Sequence, residues 1–134
     1  MKPGDEISLT VNPDRYTTVR YAGASGDFNP IHIDEEFARS VGLPGRILHG
    51  LWTMAQVARA HTEAFGGAAG PASLAELSVQ FRGMGVMEQE ITVRGTVEEV
   101  EGDTAVVRSE AIQDGRRIVR NARARVRVLP DSGD

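Results

Sequence analysis

The second half of the chain contains four segments in which apolar and polar residues alternate, and this alternation restricts the possible fold. The apolar positions are Ala75, Leu77, Val79 and Phe81, then Ile91, Val93, Gly95 and Val97, then a run from about Thr104 to Ile112, and finally Ala122, Ala124, Val126 and Val128. Such alternation predicts strands with one face on a core, as in antiparallel sheets. Gly102 and the Asp114-Gly115 pair lie between the last three segments and predict tight turns.

One long helix is predicted before these strands. It begins after Gly50 and ends at Gly66-Gly67, and one side of it carries Leu51, Met54, Ala55, Ala58, Thr62 and Phe65 at helical spacing. A sheet with one apolar face needs a cover, and this helix is the longest in the sequence. The pattern therefore predicts an α+β domain in which a curved antiparallel sheet surrounds a central helix.

Shorter elements are predicted in the first third of the chain. Ile7 to Val11 alternates like a strand, and Thr17 or Thr18 is a candidate cap for a helix through about Ala24. An irregular loop is expected from Asp27 to His32, followed by a helix from Glu35 to Val41 that Asp34 caps. We expect one domain over residues 1–130 and a flexible tail over 131–134.

The composition argues against several classes of function. The net charge of −4 does not suit a nucleic-acid-binding protein, and no run approaches the roughly 18 apolar residues of a membrane span. The chain has no cysteine, so disulfides, thiolate metal sites and cysteine nucleophiles are excluded. No signal-peptide pattern is visible at the N-terminus. We therefore expect a cytoplasmic protein without nucleic-acid or membrane partners.

Positive charge is concentrated near the C-terminus. Of the 15 basic residues, 14 are arginine, and seven of these lie between Arg108 and Arg127. Two interpretations are open for this region. It is either a solvated strand face or a docking surface for an anionic partner, such as a phosphorylated cofactor arm or an acidic carrier protein.

The strongest candidates for chemistry are Asp27 and His32. A carboxylate and an imidazole are suitable proton carriers near neutral pH, and Asn29 between them is able to brace the loop through backbone groups. The alternative is a loop aspartate in an Asx-turn and a partly buried histidine with a structural role. Gly50 offers a helix N-terminal amide that a ligand can approach closely, or it only permits close packing.

The remaining histidines are weaker candidates. His49 precedes the helix N-terminus and is expected to be structural or to support the site, whereas His61 lies among the apolar positions of the helix. No histidine spacing typical of a metal site occurs, so no metal is predicted. Neither a serine-hydrolase elbow nor a phosphate-binding glycine loop is present.

Two segments carry a resemblance to a known family. The residues from Tyr21 to Asp34, with Asp27, Asn29, Pro30 and His32, and the later Ile47-Leu48-His49-Gly50-Leu51 resemble the signature of MaoC-like, (R)-specific enoyl-CoA hydratases. The likeness is to the single-domain (3R)-hydroxyacyl-thioester dehydratases. It implies a hotdog fold and reversible syn addition of water to a trans-2-enoyl thioester of coenzyme A or acyl carrier protein.

The resemblance also implies roles for individual residues. Asp27 and His32 match the catalytic pair, the Gly50 amide matches the donor to the thioester oxygen, and Asn29 matches a bracing residue. It implies no cofactor beyond the coenzyme A or phosphopantetheine that the substrate carries. The chain departs from several relatives in one place, since Ala55-Gln56-Val57-Ala58 stands where they have a serine.

Several alternatives remain open at this level. The chain is an active dehydratase, a non-catalytic subunit of a heteromeric one, or a hotdog thioesterase. Because the relatives are built from paired domains, a homodimer is expected, with a heterodimer as the alternative. The sequence leaves open the acyl chain length, the carrier, and the division of protons between Asp27 and His32.

Overall fold

The computed structural model describes residues 1–66 and 72–128, and so excludes Gly67 and the predicted tail over 131–134. The elements, in chain order, are β1 (Glu6–Val11), α1 (Thr17–Ser25), α2 (Pro30–Ile33), α3 (Glu35–Ser40), α4 (Gly50–Ala64), β2 (Ala72–Phe81), β3 (Ile91–Glu101), β4 (Thr104–Gln113) and β5 (Arg116–Val128). In these ranges, no helix has the length and apolar character needed to cross a membrane.

The five strands form one antiparallel sheet in the order β1-β3-β4-β5-β2. Helix α4 contacts every strand, so the sheet wraps around it. The core between them includes the fully buried Val57 of α4, Val93 of β3, Val107 of β4 and Val126 of β5. Burying each such side chain contributes about 1.5–3 kcal/mol. The predicted α+β architecture with a central helix is confirmed.

The prediction of which side of α4 is buried is wrong, because the buried residues are shifted by about one position along the sequence from the predicted ones. Its buried residues are Thr53, Val57, Ala60 and His61, whereas Leu51 and Ala55 are exposed. Two of these four buried side chains are polar. A prediction that counts apolar residues therefore selected the neighbouring side of the helix.

Strand β2 also departs from its predicted pattern, because Ala75 and Phe81 are exposed and not in the core. The pairing of β2 with β5 shifts register between Leu74 and Glu76 and again between Ser78 and Gln80. A bulge inserts an unpaired residue and so breaks the strict alternation of faces. Phe81 consequently lies at the surface.

Two local predictions near the N-terminus are wrong. Neither Thr17 nor Thr18 caps α1, because Asp14 accepts the N–H of Tyr16 at 2.8 Å and the Thr17 hydroxyl at 3.4 Å. The segment from Asp27 to His32 is not wholly irregular, since Pro30 begins the one-turn helix α2. Proline suits the first helical position, where its missing N–H costs nothing.

The other predicted caps and turns are present. The Asp34 carboxylate accepts the N–H of Phe37 at 3.0 Å and begins α3, which ends one residue before the predicted Val41. Asp114 and Gly115 both have positive φ, at 52° and 70°, as a two-residue hairpin turn requires. Local capping and turn residues therefore set the start of α3 and the register of the β4–β5 hairpin.

The C-terminal arginines lie on the exposed face of the sheet. Several pair with acidic side chains: Arg108 with Glu98, Arg117 with Glu110, Arg125 with Glu76, and Arg127 with Asp103. Exposed pairs of this kind contribute little to stability, typically about 0–1 kcal/mol. These contacts agree with the interpretation of the region as a solvated strand face.

His61 is a fully buried residue of α4, and its environment disfavours a charge. Its Nδ1–H donates to the Val57 carbonyl at 2.7 Å, while Nε2 has no hydrogen-bond partner among the described residues. Burial lowers the pKa of His61, and the bond to Val57 opposes this only in part. The folded protein therefore holds a neutral imidazole in its core.

Stability should consequently fall in mild acid. Below the ordinary histidine pKa of about 6.5, the unfolded chain takes up a proton that the folded chain excludes. The free energy of unfolding should then drop by up to about 1.4 kcal/mol per pH unit from this group. Denaturant unfolding at a series of pH values measures the slope, and His61→Leu should make it shallower. An equal slope in the two proteins contradicts this role.

Candidate active site

Asp27 follows directly after the end of α1. Gly26 ends that helix in the left-handed conformation, with φ of 80°, and its N–H donates to the Ala22 carbonyl at 2.8 Å. The turn leaves the Asp27 side chain about half exposed, at 52%. Its Oδ1 accepts the N–H of Asn29 at 3.2 Å, so Oδ2 remains open to other partners.

Asn29 holds the loop between the two candidate proton carriers. Its side-chain oxygen accepts the N–H of Ile31 at 3.2 Å, and its carbonyl accepts the N–H of His32 at 2.9 Å. With Pro30 as the first helical residue, these bonds fix the short helix α2. The contacts are those expected of a residue that braces the loop.

The His32 ring is oriented by a backbone carbonyl. Its Nδ1 lies 2.8 Å from the carbonyl oxygen of Ile47, which accepts hydrogen bonds only, so Nδ1 carries the proton. In the neutral ring, Nε2 is then the free base, and it lies 3.9 Å from Asp27 Oδ2. That separation exceeds a hydrogen bond, so both atoms are available to a ligand or water.

His49 connects the loop that carries Asp27 and His32 with the start of α4. The His49 ring stacks on that of His32, with centroids 3.8 Å apart and planes 21° apart. The centroid of the Tyr21 ring lies 4.7 Å from that of His49. His49 Nε2 lies 3.0 Å from the carbonyl oxygen of Asp27, to which it donates. Because His49 is also the N-cap of α4, these contacts place the start of that helix against Asp27 and His32.

Gly50 is the first residue of α4 and is exposed. Within the described part of the chain, its N–H donates to no acceptor, as expected for the first turn of a helix. A Cβ at this position would lie 3.3 Å from Cε1 of Phe81, so the Phe81 ring borders the space beside the amide. The helix N-terminus adds a positive partial charge there.

The structure thus gathers Asp27, His32, His49 and Gly50, all of which the sequence had singled out. Three further contributors were missed: Tyr21, the Ile47 carbonyl and Phe81. A backbone acceptor such as Ile47 leaves no signal in residue type. Phe81 had been assigned to the core, and only the bulges of β2 explain its position.

Asp27, His32 and His49 each offer a ligand atom within 4.8 Å of the others, a cluster that spacing in the sequence did not reveal. The rings of His32 and His49 are stacked with their planes 21° apart, and His49 Nε2 donates to the Asp27 carbonyl. His49 Nδ1 is buried and has no hydrogen-bond partner among the described residues. These same three side chains include both candidate proton carriers.

Comparison with known proteins identifies the family. The MaoC-like domain matches residues 1–115, and the chain belongs to that family. A fatty acid synthase subunit beta from Aspergillus oryzae is 36% identical over 99 residues, which are 74% of this chain and 4% of that protein. The peroxisomal hydratase-dehydrogenase-epimerase of Saccharomyces cerevisiae is 42% identical over 64 residues, 48% of this chain and 7% of that protein.

The matched segments therefore cover less than a tenth of the length of each of these two relatives. Among solved structures, the (R)-hydratase from A. caviae involved in PHA biosynthesis superimposes with a TM-score of 0.86 at 21% identity. The match covers 97% of this chain and 98% of that one. This likeness confirms the predicted hotdog fold.

Proposed function

We propose that this protein catalyses reversible addition of water to trans-2-enoyl thioesters, and the reverse dehydration of (3R)-hydroxyacyl thioesters. The observation that carries the proposal is the convergence of His32 Nε2 and Asp27 Oδ2 beside the N-terminus of α4. Membership of the MaoC-like family and the word hydratase in two relatives' names support it. Residues 1–130 act as one catalytic domain in this proposal.

The Gly50 amide polarises the thioester carbonyl in this reaction. A donor at a helix N-terminus stabilises the negative charge that develops on the carbonyl oxygen when the α-carbon becomes enolate-like. The missing side chain at Gly50 lets the oxygen approach the amide, with Phe81 beside it. The donor is already in position, so little reorganisation is needed during the reaction.

Asp27 and His32 divide the two proton transfers, one at the α-carbon and one at the water or β-hydroxyl. Neutral His32 is able to accept a proton at Nε2 while its Nδ1–H stays bonded to Ile47. The Asp27 carboxylate then lies 3.9 Å from a charged ring and stabilises it. The 3.9 Å separation allows both groups to reach one substrate.

The substrate brings its own carrier arm, coenzyme A or the phosphopantetheine of an acyl carrier protein, and we propose no further cofactor or metal.

A second copy of the chain is the proposed partner, with a heterodimer as the alternative. Exposed apolar side chains of Phe28, Leu51 and Phe81 surround the site, and β1 and β2 are the edges of the sheet. A cysteine-free chain suits the cytoplasm, the location we propose.

The function is tested with the purified chain alone and a panel of trans-2-enoyl thioesters of different acyl lengths, on coenzyme A and on acyl carrier protein. We expect (3R)-hydroxyacyl thioesters and no release of free thiol. Release of thiol and free acid would indicate a thioesterase. Lack of any reaction until a partner subunit is added would indicate a non-catalytic chain.

A further inference from the structure

We propose that Arg46 is a positioning residue that fixes the His32 imidazole for catalysis by anchoring the segment that carries the Ile47 carbonyl. Arg46 acts through another residue and lies one position before Ile47 in the chain. The effect on catalysis rests on the function proposed above. The effect on the His32 ring is measurable without it.

Arg46 binds two separate parts of the chain with its guanidinium group. Nη2 donates to the Arg15 carbonyl at 2.9 Å, and Nη1 donates to the Thr18 hydroxyl at 3.3 Å. Its Nε and its own backbone N–H both donate to Glu35 Oε2, at 3.4 and 3.3 Å. Only 19% of the Arg46 side chain is exposed, and of its bonds the one to Thr18 is partly buried.

These bonds join the elements that carry both proton carriers. Thr18 belongs to α1, which ends two residues before Asp27, and Glu35 begins α3, three residues after His32. Ile47 completes the connection. Its N–H donates to the Ile31 carbonyl at 3.1 Å, and its carbonyl accepts the His32 Nδ1–H at 2.8 Å.

The Glu35 carboxylate, which is half exposed, has several contacts with this segment of the chain. The bond from the Arg46 N–H is the main cause that lowers the pKa of Glu35 below its usual value, which keeps the carboxylate charged. Arg39 donates to the other oxygen of the same carboxylate at 3.2 Å. A Cβ at Gly45 would collide with that oxygen, so the present position of the Glu35 carboxylate depends on the missing side chain at Gly45.

Loss of Arg46 should therefore change the direction in which His32 Nε2 points. Misplacement of a catalytic group by about 1 Å can reduce the rate by about a hundredfold. We expect Arg46→Met to lower kcat by about ten- to a hundredfold, with KM changed less than about twofold. Lysine should not restore the rate, because one ammonium group has no planar fork to bind Arg15, Thr18 and Glu35 together.

The experiment compares Arg46→Met and Arg46→Lys with Arg39→Met in the full chain. Arg39 binds the same Glu35 carboxylate but makes no hydrogen bond to residues 45–47, which makes it the matched control. NMR on nitrogen-labelled protein follows the His32 Nδ1–H proton and its exchange with solvent. We expect its signal to shift or exchange faster in both Arg46 variants and to match wild type in Arg39→Met.

Two results would overturn the proposal. One is a wild-type His32 Nδ1–H signal in the folded Arg46 variants, and the other is kcat within about twofold of wild type in both. Should Arg46→Met fail to fold, Arg46→Lys decides the question alone, since it keeps the charge. If the wild-type chain has no hydratase activity, the proposed function fails while the NMR comparison still tests the positioning role.

Discussion

Asp27→Asn and His32→Gln should each slow hydration of a trans-2-enoyl thioester by about a hundredfold or more. Each change keeps a polar side chain of similar size but removes the group that exchanges a proton. Asparagine keeps an oxygen able to accept the Asn29 N–H, and glutamine keeps a donor for the Ile47 carbonyl. Steady-state rates at saturating substrate measure the effect, with the fold checked by circular dichroism.

Asp34→Asn supplies the matched control for these variants. Asp34 lies two residues after His32 and caps α3 through the N–H of Phe37, a role that asparagine performs about as well. Its rate should stay close to wild type. If Asp27 and His32 work as a unit, the double variant should be scarcely slower than either single one. Near-wild-type rates in both single variants would contradict the assignment.

Gln113→Leu should lower the free energy of unfolding by about 2–4 kcal/mol. Gln113 is fully buried at the end of β4. Its Oε1 accepts the Val86 N–H at 2.8 Å, and its Nε2 donates to the carbonyls of Val86 and Gln89 at 2.8 and 2.9 Å. Leucine has nearly the same size but makes none of these bonds, so three backbone groups lose their partner.

Denaturant unfolding measures this loss, with Gln80→Leu as the control. Gln80 lies on the exposed side of β2, so the same chemical change there should alter the free energy of unfolding by no more than about 0.5 kcal/mol. Val86 forms an isolated antiparallel β-bridge with Ile47, and the Gly85 carbonyl accepts the N–H of Leu48, so this segment contacts the residues that precede α4. Gln113→Leu should therefore also slow the proposed hydration reaction. Equal unfolding midpoints for the two variants would contradict the role of Gln113.

Periodicity predicted the elements whose patterns are long and uninterrupted. The alternation of buried and exposed residues holds along β4, in β3 as far as Val97 and in β5 from Ala122, so these buried faces follow directly from the sequence. Alternation fails in β2 because its bulges depend on pairing with β5, which is distant in the chain. Helix α2 has only four residues, too few to establish any period. The buried side of α4 includes Thr53 and His61, which an apolar count passes over.

The candidate site likewise combines residues that the sequence identifies with contacts that it does not. Asp27, His32 and Gly50 were recognisable because their chemistry lies in residue type and local spacing. The contacts that orient them were not, because the Ile47 carbonyl and the stacking of His49 on His32 depend on how distant segments pack. Arg46 has the same character, since four hydrogen bonds to three distant residues leave no pattern in the sequence.

The fate of water oxygen tests the proposed reaction most directly. The purified chain is incubated with a trans-2-enoyl thioester in isotopically labelled water, and the products are analysed by mass spectrometry and chiral separation. We predict a single labelled oxygen in the β-hydroxyl of an intact (3R)-hydroxyacyl thioester, and about a hundredth as much labelled product or less when Asp27→Asn or His32→Gln replaces the wild type over the same interval. Label in a free carboxylate, or an unlabelled and unchanged substrate, would contradict hydration by Asp27 and His32.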